Sequence, residues 1–247
     1  VLSDEQIMLR DMARSWVEDR APISALRAVR TTYAEQGMDP ALYQNMAEMG
    51  WCGILVEGAL GGVDMGLVSF GVIAEELGRN LVASPLISTA VAAVSAISSG
   101  VNTKQKQELL PAIASGSLIA ALAIDEGNHH RPDVVHTTAR ISGDTWVLEG
   151  MKRGVAEAVS ADLLIVSAQT DDGIALFACP ARTPGIERVP LNRIDSRGAA
   201  DVRFNAVQLS STALLGRGQA YVDRVLDWTR AALAAEMLGG TQQAFDT

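Results

Sequence analysis

Apolar residues recur at helical spacing from the N-terminus to about Gly116, then switch to short runs separated by turns, and return to helical spacing after Ala220. Ser3 followed by Gln6 has the form of a capping box, and Met8, Met12 and Trp16 fall on one face of the helix it opens. Pro22 ends that helix or starts the next turn. Asp39-Pro40 supplies a cap followed by proline at the first helical position, and Gly50 closes the helix. Gly61-Gly62 reads as a loop. Phe70, Ile73, Ala74 and Leu77 form a stripe with Gly78 as its C-cap. Further helices are predicted over 86–98 and from Asn102-Thr103 to Ser115-Gly116. These stripes read as the core of a helix bundle, where each buried Leu, Ile or Met contributes roughly 1.5–3 kcal/mol.

The segment Ser117–Glu126 marks the change of period. Val134–Ile141 and Thr145–Leu148 flank Ser142-Gly143-Asp144, a hairpin signal, and Glu149-Gly150 is predicted to turn the chain again. Leu163–Gln169 and Ile174–Pro180 flank Asp171-Asp172-Gly173, a second hairpin. Val202–Leu209 alternates apolar and polar residues. The pattern predicts an antiparallel β-module and not a βαβ unit. Val222, Val225, Leu226, Ala232, Leu233 and Met237 then restore the helical period.

Composition narrows the function. The 247 residues carry a net charge of -9, which argues against a nucleic-acid partner. An anionic ligand would gain no long-range steering and would need local basic groups. Cys52 and Cys179 lie in different modules without metal-ligand spacing, and read as a reduced, buried cytosolic pair. No membrane span or signal peptide is predicted, so a cytoplasmic location is expected. The chain starts without methionine and stops inside an amphipathic pattern, so a C-terminal continuation is expected. His129-His130 makes a poor metal pair, His136 reads as a surface residue, and Lys152-Arg153 as a solvated basic doublet.

Local sequence then points to a family. Leu2–Arg10, Met49-Gly-Trp51, Gly61-Gly62, Ala74–Arg79, Lys104–Pro111, Ala114-Ser-Gly116, Gly143–Lys152 and Ala158–Asp162 occur in an order and spacing that resemble the acyl-CoA dehydrogenases. Each match is weak alone, and the shared order is specific. The resemblance implies an α+β fold with an N-terminal all-α domain (1–117), a middle antiparallel β-barrel-like domain (118–215) and the beginning of a C-terminal helical domain (216–247). It further implies FAD-dependent α,β-dehydrogenation of an acyl-CoA thioester in fatty acid or lipid degradation. Its expected partners are a same-family subunit in a dimer or tetramer and an electron-transfer flavoprotein.

By the same resemblance the flavin would lie against Leu122, Ile124 and Asp125 in one segment, and Gly154, Val155 and Ala156 in a second. Arg131, Asp227 and Arg230 match positions that contact the CoA portion. Both flavin segments depart from the family pattern. Asp125 stands for a threonine, Gly127 for a proline, and His130 and Arg131 for the Gly-Ser turn that meets phosphate. An Asp facing the flavin would repel its negative charge, whereas Arg131 could compensate as a cation. Gly154 stands for an aromatic residue, Ala156 for a hydroxyl, and Glu157 for an asparagine. Thr229 occupies a position where some branches carry the catalytic glutamate, so no catalytic base is assigned within the chain. Glu236 reads as an ordinary exposed or interface residue. The runner-up reading is a degenerate subunit of a mixed oligomer whose partner supplies the missing groups.

Overall fold

The computed structural model describes residues 2–247. Helix α1 (Asp4–Arg20) opens with the predicted capping box: Gln6 N–H donates to Ser3 Oγ at 3.3 Å and Ser3 N–H to Gln6 Oε1 at 3.0 Å. Its buried face is Leu9, Ala13 and Val17, not the methionine stripe; Met8 and Met12 are exposed. Trp16 keeps its predicted inward role and packs edge-on against Trp51, with ring centroids 4.8 Å apart.

After α2 (Ile23–Thr31), α3 (Pro40–Glu48) starts at Asp39, whose Oδ1 accepts from Ala41 N–H at 2.9 Å, and Gly50 follows it at φ 77°. Helix α4 (Gly66–Arg79) runs through Gly78, so that glycine is not the predicted cap. It serves a helix crossing instead: a Cβ there would lie 2.0 Å from the Glu236 carbonyl oxygen of α7 (Gln219–Asp246). The helix expected over 86–98 divides into a π-helical turn (Ile87–Ala93) and α5 (Val94–Ser99). Thr89 fastens that turn to the sheet by donating to the Ala120 carbonyl and accepting from Ala120 N–H, both at 3.0 Å. Helix α6 (Thr103–Ala114) leads into the sheet.

The strands are β1 (Ala120–Ala123), β2 (Thr138–Ser142), β3 (Thr145–Ala156), β4 (Leu163–Thr170), β5 (Gly173–Pro180), β6 (Ile186–Leu191), β7 (Ala199–Ser210) and β8 (Leu214–Arg217). The sheet runs β6-β7-β3-β2-β4-β5-β8, with β1 beside β4. Both predicted hairpins form, β2–β3 and β4–β5. The sheet is mixed and not wholly antiparallel, because β1 and β2 each run parallel to β4. The chain from β1 to β2 makes a long loop over 124–137, so Val134–Thr137 is not strand as predicted. Glu149-Gly150 does not turn the chain. It is a bulge inside β3, where Gly150 at φ 148° lies against Thr137 and the Glu149 carboxylate accepts from Ala206 N–H at 2.7 Å.

Strand β4 reads Leu-Leu-Ile-Val because both its faces are covered. Leu164 and Val166 join Leu148, Phe177 and Phe204 in one core. Leu163 and Ile165 pack with Ile97, Ile113, Val222 and Leu226, which seats the sheet on the helices. No helix of the described residues is long and apolar enough to cross a membrane.

Candidate functional site

Where β1 ends, the sheet, the π-helical turn and α7 leave a cavity of about 280 Å³. Its apolar wall comes from Leu122 and Ile124 on one side, and Leu226 and Leu233 on the facing side of α7. Thr229 lies between those two leucines along the helix, since positions three or four apart share a face. Ile87, Ser84 and Ser88 come from the π-helical turn and its approach. Ala156 adds a methyl, and Asp125, His130, Glu157, Arg193, Asp195 and Arg197 complete the polar lining.

The sequence-predicted residues divide accordingly. Leu122, Ile124, Asp125 and Ala156 share the cavity. Val155 does not; it is buried in the sheet core with Leu148 and Val202. Gly154 also lies off the cavity wall, in a bulge at φ 59°, with its N–H on Asp201 Oδ1 at 2.9 Å and open space where a side chain would stand. Arg131 is outside and pairs with Asp133 at 3.3 Å. Asp227 and Arg230 pair with each other at 3.1 Å on the exposed side of α7, and Arg230 Nη2 comes within 3.4 Å of His130 Nε2 at the cavity's outer edge.

Asp125 does not present an unpartnered charge. Its carboxylate lies 2.9 Å from His130 Nδ1 and accepts from Arg131 N–H at 3.1 Å, so the loop that lost its Gly-Ser turn is folded around this side chain. An apolar wall and an exposed Ala156 suit a flat, largely apolar ring system such as a flavin.

The anchor of this wall is Lys152, which is fully buried and not a solvated residue. Its Nζ donates to Ile124 O (3.1 Å), Glu126 Oε1 (2.7 Å) and Ser167 Oγ (2.8 Å). Burial pushes its ammonium down to about 8, against the pull of Glu126. Glu126, which burial alone would raise, is held below the usual carboxylate range by Lys152 and by the N–H groups of His136 and Thr137.

Glu157, which stands for an asparagine in the second flavin segment, also lines the cavity. It sits at φ 58° just after Ala156, nearly fully buried, with its N–H donating to the Gly198 carbonyl and its Oε2 accepting from Ser88 Oγ. Burial pushes its carboxyl up to about 7, with Ser88 and Arg197 pulling the other way. Arg197 Nη2 donates to Glu236 Oε1 at 2.6 Å and to Val82 O at 3.3 Å. Glu236 is therefore a largely buried ion-pair partner and not an ordinary exposed residue. The one available signal was the replacement of asparagine by glutamate beside a flavin position.

A stability prediction follows for Glu157. Its carboxyl is raised from an ordinary 4.5 to about 7, so the folded state binds this proton more tightly than the unfolded chain. That contribution is complete below pH 4.5 and disappears as pH rises through 7, a loss of order 3 kcal/mol. Glu157→Gln is expected to gain stability over the parent between pH 5 and pH 8, read from urea midpoints. A difference that is constant with pH would contradict the assignment.

Comparison with known proteins agrees with this fold. Residues 3–117 match the profile described as "Acyl-CoA dehydrogenase, N-terminal domain". The short-chain specific acyl-CoA dehydrogenase, mitochondrial, of Bos taurus is 28% identical over 260 residues, covering 99% of this chain and 62% of that protein. The solved structure of a variant of the Tcur3481–Tcur3483 steroid ACAD is 33% identical with a TM-score of 0.87, covering 98% of this chain and 64% of its own. Glutaryl-CoA dehydrogenase from Mycobacterium smegmatis is 27% identical with a TM-score of 0.85, covering 97% and 63%. Residues 3–117 thus match the N-terminal domain of the acyl-CoA dehydrogenases, the chain is similar over nearly its whole length to members of that family, and it spans a little over three-fifths of the length of these relatives.

Proposed function

We propose that the chain is the larger part of a flavin-dependent acyl-CoA dehydrogenase, acting on a CoA thioester whose acyl group enters the cavity. The observation that carries this reading is the shared lining: Leu122, Ile124 and Ala156, expected beside a flavin, face Leu226 and Thr229 of α7, the latter at the position where some branches of the family carry the catalytic glutamate. FAD bound there would supply the oxidising power for α,β-dehydrogenation. The chain's own part is to hold the ring against the Leu122–Ile124 wall, to exclude water with Leu226 and Leu233, and to align the acyl chain. Arg230 offers donors at the outer edge for the polar CoA portion. Thr229 Oγ1 donates to Val225 O at 2.7 Å and Glu236 is paired with Arg197, so neither is free to take the α-proton. The expected same-family subunit and electron-transfer flavoprotein remain part of this proposal, on the family resemblance.

The test is the visible absorption spectrum of the full-length protein, expressed alone, before and after anaerobic addition of acyl-CoA thioesters. A flavin spectrum that bleaches is expected. A colourless protein that FAD cannot reconstitute would overturn the reading, and flavin binding only on co-expression with a related chain would move it to the mixed oligomer.

A further inference from the structure

The cavity is not uniformly greasy. Its middle is Leu122, Ile124, Ile87, Leu226 and Leu233, while one end closes on buried polar groups. That end is separated from the outer edge along α7: His130 meets Arg230, whereas Arg197 meets Glu236, six residues further and therefore about 9 Å along the helix axis. At the inner end, Glu157 Oε2 is held by Ser88, but Oε1 takes no hydrogen bond from any described residue. Glu157 lines the cavity, so this oxygen is open to a hydrogen bond from whatever occupies it.

Its neighbours define that occupant. Arg197 is engaged by Glu236 and by Val82 O, and Arg193 by Asp195 at 2.8 Å. Both guanidinium groups already hold a carboxylate, and a carboxylate-ended acyl group would meet the Glu157 carboxyl itself. A methyl end would leave Oε1 unpartnered. A hydroxyl suits the site in either protonation state, because it donates to a carboxylate and accepts from a carboxyl.

We propose that Glu157, supported by Ser88, is a specificity-determining residue that recognises a hydroxyl on the part of the acyl group remote from the thioester. This rests on the dehydrogenase reading for the identity of the thioester, and on the cavity alone for the preference. Water at Oε1 is the competing occupant, and the comparison of matched ligands separates the two.

The experiment uses the flavin-loaded full-length protein and three thioesters at each chain length: ω-hydroxyacyl-CoA, the methyl-ended acyl-CoA and the ω-carboxyacyl-CoA. Calorimetry gives Kd, and anaerobic bleaching gives kcat/KM. At the best-fitting length the hydroxylated thioester is expected to be favoured roughly ten- to hundredfold, the worth of keeping a buried polar group paired. Glu157→Leu is expected to erase that preference, Glu157→Gln to retain part of it, and Ser88→Ala to weaken it. A wild-type protein that prefers the methyl or carboxylate end, or none, overturns the proposal whatever the variants do. If no thioester bleaches the flavin, the dehydrogenase reading fails, and the calorimetric ranking still decides the preference.

Discussion

Lys152→Met should destabilise the protein by about 3–5 kcal/mol, the range for removing one partner of a buried ion pair. The residue is fully buried, and its three hydrogen bonds converge on one place: the Ile124 carbonyl, the Glu126 carboxylate and the Ser167 hydroxyl. Glu126 passes the constraint onward by accepting from His136 N–H at 2.7 Å and Thr137 N–H at 3.0 Å. One ammonium therefore fixes both ends of the loop between β1 and β2. Methionine keeps most of the volume but strands a carboxylate that is nearly out of solvent. Adding Glu126→Gln should restore part of the loss, because a neutral amide in that place costs less than an unpaired charge. The same variant should lower flavin retention, since Ile124 lines the cavity whose wall Lys152 holds. Urea midpoints with unchanged slope measure the first effect and flavin absorbance after dialysis the second. A loss below about 1 kcal/mol would show that the pair is dispensable.

How far the sequence could carry the argument is visible in particular residues. Short-range chemistry was legible: the Ser3 and Asp39 caps, Gly50, and the two hairpins stand where turn and cap residues placed them. Their causes lie within four residues of chain. The bulges in β3 were not legible, because Gly150 faces Thr137 and Glu149 faces Ala206, contacts made by distant strands. Those bulges break the alternation on which facing was judged, so a Lys-Arg doublet that looks solvated places Lys152 in the core. The parallel pairing of β1 and β2 with β4 depends on a loop path that no periodicity records. Of the candidate site, Leu122, Ile124, Asp125 and Ala156 were singled out by the resemblance, and they line one cavity. Ser88 and Arg197 were not, since 69 residues separate Ser88 from Glu157 and only the fold joins them.

Gly239→Ala is expected to lower stability by about 2 kcal/mol although alanine is the better helix former. At this position a Cβ would lie 1.7 Å from the Glu75 carbonyl oxygen of α4, and at Gly78 on the opposite helix one would lie 2.0 Å from the Glu236 carbonyl oxygen of α7. The two backbones cross in contact, each glycine receiving the other helix's carbonyl. Backbone cannot swing aside as a side chain can, so the helices must separate or rotate, at about 1–3 kcal/mol or more for an overpacked site. The gain in helix propensity, roughly 1 kcal/mol, offsets only part. Gly71→Ala on α4 is the control: its Cβ would meet Ala235 Cβ at 3.6 Å, an ordinary contact, so that variant should be neutral or more stable. Gly78→Ala combined with Gly239→Ala should cost less than the sum, because the first displacement already opens the gap for the second. The crossing also sets where α7 presents Leu226, Thr229 and Leu233 to the cavity, and Glu236 to Arg197. Loss of stability in Gly239→Ala should thus come with weaker thioester binding, while Gly71→Ala leaves binding intact. Thermal midpoints and calorimetric Kd values on the three single variants measure both effects, and equal behaviour of Gly71→Ala and Gly239→Ala would refute the close crossing.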